Sequence, residues 1–126
     1  MRIPAFIAAL ALSTLAPSAL LAHVQLTTST PTANSTAKAP KQITLTFSQP
    51  VDQASAAASI VMTAMPGMAN HGEMLIRNFT TSWSADNTTL TLRLKKPLPT
   101  GSYEVRWQAA AGDGHAMNGT VGFEVS

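Results

Sequence analysis

Four stretches of this chain alternate apolar and polar residues with a period of two. Ile43, Leu45 and Phe47 are interleaved with Gln42, Thr44, Thr46 and Ser48, and Leu90, Leu92 and Leu94 with Thr89, Thr91, Arg93 and Lys95. Tyr103, Val105 and Trp107 alternate with Glu104, Arg106 and Gln108, and Val121, Phe123 and Val125 close the chain in the same rhythm. Successive side chains of a strand leave opposite faces, so each stretch is predicted to be a strand with one face buried and the other in water. Shorter strand candidates are residues 24–28, 59–62 and 75–80, with turn signals at Asn34-Ser35, at Ala85-Asp86-Asn87 and over residues 97–101. Residues 52–58 are the one place for a short helical turn, and the polar stretch 27–41 reads as a loop between the first two strands. About seven strands in about 100 residues predict an all-β fold, a single immunoglobulin-like Greek-key β-sandwich. There is no cysteine, so the apolar core has to hold the fold without a disulfide.

Residues 1–22 have the pattern of a secretory signal peptide. Arg2 supplies the positive start, an apolar run follows, and small residues close it. Cleavage after Ala22 would make His23 the first residue of the mature protein; cleavage after Ala19 is the competing choice, because Leu20 stands where a smaller residue is usual. Pro4 and Pro17 interrupt the apolar run, which is shorter than the roughly 20 residues of a membrane span. The remaining segment, residues 23–126, is one domain with one modest core. Without Arg2, seven of the eight basic side chains remain against six acidic ones. That near balance argues against nucleic acid as a partner.

The middle of the chain reads VMTAMPGMANHGEM, which places Met62, Met65, Met68, His71 and Met74 on a three-residue beat. Thioether sulfur is a soft, neutral ligand suited to Cu(I), and an imidazole can share such a site. Flexible core filling is the ordinary role of methionine. Here, however, Pro66, Gly67, Asn70 and Gly72 lie among the methionines and break regular structure. His71 with two or three thioethers would satisfy Cu(I), and the spacing leaves open which members bind together.

A second candidate site is Gly112-Asp113-Gly114-His115, just after the strand that ends near Ala109. In an extended segment the side chains of Asp113 and His115 would leave the same face, although Asp-Gly is also an ordinary turn sequence. An amino-terminal His23 would add its α-amine and imidazole as a chelate. Three nitrogens and one oxygen in a plane suit Cu(II).

Read in order, the chain resembles the CopC family of periplasmic copper-binding proteins from His23 to its end. The resemblance rests on His23-Val24 with Ser29-Thr30-Pro31, on residues 43–51 (ITLTFSQPV), on residues 101–107 (GSYEVRW), and on Asp113-Gly114-His115 with Gly119 and Phe123. It implies a cupredoxin-like barrel with two copper sites at opposite ends. The implied Cu(II) ligands are His23, Asp113 and His115, and the Cu(I) ligands come from Met62, Met65, Met68, His71 and Met74. It further implies a periplasmic monomer acting in copper homeostasis and resistance, beside an inner-membrane transporter of the CopD type and other copper-resistance proteins. Many relatives carry a glutamate where this chain has Gln49. An amide there can only hydrogen-bond, which removes a carboxylate from the neighbourhood of a dication.

Three function classes fit these residues. The leading one is a non-enzymatic carrier or chaperone holding Cu(II) and Cu(I) at separate sites. A histidine-brace oxidative copper enzyme would need an open coordination position and a substrate platform, for which the chain offers little beyond Trp83 and Trp107. A purely structural sandwich module would explain the strands and none of the ligand spacing.

Overall fold

The alternating rows become the two inner faces of a β-sandwich. The structure is a computed structural model that describes residues 23–68 and 72–126; the expected leader lies outside the described residues. In chain order the strands are β1 (Leu26–Thr30), β2 (Thr36–Ala37), β3 (Gln42–Phe47), β4 (Ala57–Ala64), β5 (Met74–Ile76), β6 (Phe79–Trp83), β7 (Thr89–Leu94), β8 (Gly101–Ala110) and β9 (Ala116–Val125). They form a four-stranded sheet, β1-β3-β7-β6, and a five-stranded sheet, β2-β9-β8-β4-β5. All pairings are antiparallel except that of β2, which runs parallel to β9 through Thr36 and Ala37 opposite Glu124 and Val125. The all-β sandwich predicted from the period-two rows is the fold observed.

Every inward residue of the four rows is buried: Ile43, Leu45 and Phe47; Leu90, Leu92 and Leu94; Tyr103, Val105 and Trp107; Val121, Phe123 and Val125. Burying one such aliphatic side chain stabilises by about 1.5–3 kcal/mol, and no disulfide assists. The outward positions of the four-stranded sheet carry hydroxyls instead. Thr30 bonds Thr44 across β1 and β3, and Thr46 bonds Thr89 at 3.2 Å across β3 and β7. Such cross-strand pairs tie neighbours together without needing burial.

Several element boundaries differ from the expectation. The strand predicted over 75–80 is two strands in different sheets, because the chain turns at Arg77-Asn78, where the Phe79 N–H bonds the Arg77 carbonyl at 3.0 Å. β2 lies inside the stretch read as a loop; two residues show no periodicity of their own. The helical turn is a 3₁₀ turn at Gln53–Ser55, capped by the Asp52 side chain, and residues from Ala57 onward join β4. The first strand begins at Leu26, two residues later than predicted, although Val24 is fully buried.

Two glycines allow close approaches in the five-stranded sheet. Gly119 lies opposite Trp107, and a β-carbon there would sit 2.8 Å from the indole Cζ2. Trp107 is thereby held against the sheet, with its ring edge-on to Phe47 at 5.2 Å. At the start of β8, a β-carbon on Gly101 would stand 2.7 Å from the Ala64 carbonyl oxygen. Both contacts are with groups that have little freedom to move.

Tyr103, the single tyrosine of the chain, stacks on Phe123 with ring centroids 5.7 Å apart. Its hydroxyl donates to the Pro99 carbonyl four residues upstream, at 2.6 Å, in the manner of the tyrosine corners of immunoglobulin-like sandwiches. Burial pushes the phenol up to about 12 from an ordinary 10.0. Because the folded value is the higher one, this contribution to stability is complete below the unfolded value and is lost as pH rises toward 12. A spectroscopic titration of tyrosinate absorbance should therefore show no ionisation near pH 10 in the folded protein. The transition should appear near pH 12 together with loss of near-ultraviolet circular dichroism, and separate, earlier ionisation would contradict the buried assignment.

Candidate metal centre

β8 and β9 are joined by a short connection whose geometry follows from its residues. The Gly114 N–H bonds the Ala111 carbonyl at 3.0 Å, closing a turn in which Gly114 takes φ of 77°. The Asp113 carboxylate accepts the His115 backbone N–H at 3.0 Å, which is the local Asx-type bond that makes aspartate a turn residue. Asp113 and His115 are thus brought together by a turn, whereas their spacing alone suggested an extended segment. The base of the turn is held from the side. The Asp52 N–H bonds the Ala110 carbonyl at 2.9 Å, and the Ser55 hydroxyl accepts the Ala110 N–H at 2.9 Å.

The beginning of the described chain is laid against this turn by Val24, which is buried in the core, and by Gln25. The Gln25 N–H donates to the Ser48 hydroxyl at 2.9 Å and its carbonyl accepts the Ser48 N–H at 2.8 Å. His23 therefore stands beside Asp113, with Nδ1 2.9 Å from Oδ2. Its ring centroid is 4.9 Å from that of His115. One ligand atom from each of His23, Asp113 and His115 lies within 4.8 Å of the others. The cluster is partly open to solvent. Two imidazoles and a carboxylate at that spacing can converge on one ion with small rotations, and nitrogen-rich sets of this kind suit Cu(II). The His115 N–H first, and then the bond from His23, hold the Asp113 carboxyl below its ordinary 3.8. Gln49 follows Ser48, which pairs with Gln25 at this same end.

The methionines lie at the other end of the sandwich. β4 runs from Ala57 to Ala64, and the chain then turns through Met65-Pro66-Gly67-Met68, with Gly67 at φ of 78° and the Met68 N–H on the Met65 carbonyl at 3.1 Å. Proline followed by a left-handed glycine is what a type II turn requires, and this one sets Met65 and Met68 opposite each other. Met68 is 53% exposed and Met74, at the start of β5, 47% exposed. His71 lies outside the described residues. Met62 pairs with Met74 across β4 and β5 but is itself buried. It is 2% exposed and sits in the core with Ile60 and Tyr103. The three-residue beat enters β4 there, and the strand's period of two turns Met62 inward. The candidate Cu(I) set is accordingly drawn from Met65, Met68, His71 and Met74.

Arg106 was not singled out by its sequence context, yet it anchors this loop. Its guanidinium donates to both Glu73 carboxylate oxygens, at 3.2 and 2.7 Å, and also to Glu104. Glu73 precedes Met74, so the return limb of the loop is pinned to the outer face of β8. The partners are 33 residues apart, and nothing local marks them.

The CopC domain model matches residues 26–126. The chain belongs to the CopC family. Copper resistance protein C of Pseudomonas syringae pv. tomato is 38% identical over 104 residues, covering 82% of this chain and 81% of that protein. Its counterpart in Escherichia coli is 34% identical over 105 residues, covering 83% and 82%. Among solved structures, PcoC, a methionine-rich copper resistance protein from Escherichia coli, superposes with a TM-score of 0.74 at 32% identity, covering 83% of this chain and all of that one.

A carboxyl held low stabilises the turn above its unfolded value, and this contribution disappears as pH falls through the lowered folded value. In the metal-free protein, the Asp113 carboxyl carbon followed by NMR should titrate below 3.8. Asp113→Ala should leave the His115 amide without its acceptor and shift the His23 ring resonances. An ordinary titration midpoint would mean that the tie is not formed in solution.

Proposed function

We propose that this CopC-family chain is a non-enzymatic periplasmic copper carrier acting in copper homeostasis and resistance. Residues 1–22 direct export and are removed, leaving a domain of residues 23–126 that begins with His23. Copper is the cargo. The α-amine and Nδ1 of His23 would chelate Cu(II), with His115 adding a third nitrogen and Asp113 an oxygen. Met65, Met68, His71 and Met74 would supply a soft set for Cu(I). The observation that carries this reading is the convergence of His23, Asp113 and His115 on one spot although His23 and Asp113 are 90 residues apart. The relatives are named for copper resistance rather than for an enzymatic activity, which supports a carrier over the histidine-brace enzyme.

The two candidate sites flank β8. Ten residues at about 3.3 Å each put roughly 30 Å between them, too far for one ion to touch both. Each donor set disfavours the oxidation state held by the other, so exchange with partners, such as a membrane transporter of the CopD type, would involve a change of redox state.

The amino-terminal reading is tested by one added residue. An extra amino acid before His23 turns the α-amine into an amide, which removes one ligand and the chelate. Cu(II) affinity should fall by at least about tenfold and the electron paramagnetic resonance spectrum should change. In the unextended protein, affinity should weaken as pH falls, because an α-amine with a pKa of about 8 must lose its proton to bind. An unchanged spectrum in the extended protein would remove the amino terminus from the site.

The sulfur site is tested separately with Met65→Leu, Met68→Leu and Met74→Leu combined. Leucine nearly conserves volume, so each change should cost under about 1.5 kcal/mol of stability. Cu(I) binding, measured by competition with a Cu(I) chelator, should be lost while Cu(II) binding persists. Retained Cu(I) affinity would assign the methionines to packing alone.

A further inference from the structure

The charges of this protein are sorted along the sandwich. Asp52, Asp86 and Asp113 lie at the end that holds His23. Lys38, Lys41, Arg77, Arg93, Lys95 and Lys96 are all exposed and gather at the end that holds the methionine turn. The ladders place them there. Arg93 is opposite Gln42, the Leu94 N–H bonds the Lys41 carbonyl at 2.9 Å, and the Lys95 N–H bonds the Asn78 carbonyl at 2.9 Å. No strand of the four-stranded sheet contains an aspartate or glutamate. The carboxylates nearest this end, Glu73, Glu104 and Glu124, lie on the five-stranded sheet or at its margin. Two of them are engaged by Arg106 and the third by the Ser102 hydroxyl. Among the described residues the ion pairs involve only His23, Asp113, Arg106, Glu73 and Glu104, so the six basic side chains have no carboxylate partner.

The same end presents the large apolar side chains that the described residues leave exposed: Met68, Met74 and Leu75, the last at 52%. Leu75 lies in β5, two residues before Arg77. Basic and apolar groups thus share one rim.

We propose that this rim is a docking surface for an anionic phospholipid membrane. The basic groups come from three separate segments: the β2–β3 connection, the β5–β6 connection, and the end of β7 with the residues just after it. They are spread around the end of the sandwich. A diffuse sheet of negative charge matches that layout, since each lysine or arginine near an anionic bilayer adds to attraction without a specific partner. Met68, Met74 and Leu75 supply the apolar contact that the headgroup boundary favours. Among the described residues no helix is long and apolar enough to cross a membrane, so the contact is peripheral. The sandwich would stand with its methionine end on the lipid and the His23 cluster pointing away. Docking does not depend on the copper reading; only its use does, in holding the Cu(I) loop at the membrane surface.

The test uses the exported, metal-free protein and vesicles of phosphatidylcholine, with or without about one-third phosphatidylglycerol. The protein should sediment with the anionic vesicles and not with the neutral ones. Raising salt from about 0.01 M to about 0.15 M, which shortens the Debye length from about 30 to about 8 Å, should cut binding by at least about tenfold. Combining Lys41→Gln, Arg93→Gln, Lys95→Gln and Lys96→Gln should lower binding by a similar factor. Copper titration of that variant should be unchanged, so a failure of docking and a failure of the copper sites are separately visible. If the variant does not fold, the lipid preference and salt response of the unmodified protein decide. Equal binding to neutral and anionic vesicles, or undiminished binding by a folded variant, would overturn the proposal. So would capture by polyglutamate without binding to phosphatidylglycerol, which would make the rim a site for an acidic protein.

Discussion

Burial of the inward row of β8, Tyr103, Val105, Trp107 and Ala109, holds the two sheets of this protein together and sets the distance between its ends. β8 pairs with β9 on one side and with β4 on the other over nearly its full length, so both neighbours take their register from it. The Tyr103 hydroxyl locks its first turn, and the missing side chain of Gly119 lets the Trp107 ring lie against the adjoining strand. A slip of one residue would turn every inward side chain of this strand to solvent. Without a disulfide, that apolar penalty is what makes the register unique.

From this rigid strand the two candidate metal sites inherit opposite characters. At one end a tight turn and a buried Val24 bring nitrogen and carboxylate donors together in a polar setting. At the other, a type II turn presents thioethers, and an ion pair on the outer face of β8 pins the limb that returns to β5. Hard and soft donors are kept apart by the length of a strand, which a side-chain rearrangement cannot bridge. Neither cluster is deeply buried, as the carrier role proposed above would require.

The outer faces of the two sheets differ in kind. The four-stranded sheet is covered with threonine and serine and carries no acid, whereas the five-stranded sheet has its carboxylates tied to Arg106 and Ser102. Charge is therefore left free mainly at the ends of the sandwich. Long-range orientation of the molecule toward a charged surface or partner depends on those ends, because the field of paired or absent charges along the faces is weak beyond a Debye length.

Strand identity and the core were legible in the sequence because they are local. A residue's face in a strand depends only on its parity, and Ile43, Leu92, Val105 and Phe123 could be assigned inward without knowing their partners. His23, Asp113 and His115 could be named as candidate ligands from the expected cleavage before His23, the Asp-Gly-His spacing and the family resemblance. Their convergence could not be read locally, since it depends on Ser48 and Ser55 holding segments that are far apart in sequence. Met62 shows the reverse limit: a three-residue beat groups it with Met65 and Met68, but within β4 its side chain is buried in the core. The Arg106–Glu73 clamp and the sorting of charge to the two ends had no local signature at all. The alternating apolar rows alone determined that this chain would be a β-sandwich. Only the tertiary structure decided which distant side chains meet at its ends, because such contacts are set by strand register and by turns between strands, which no local pattern encodes.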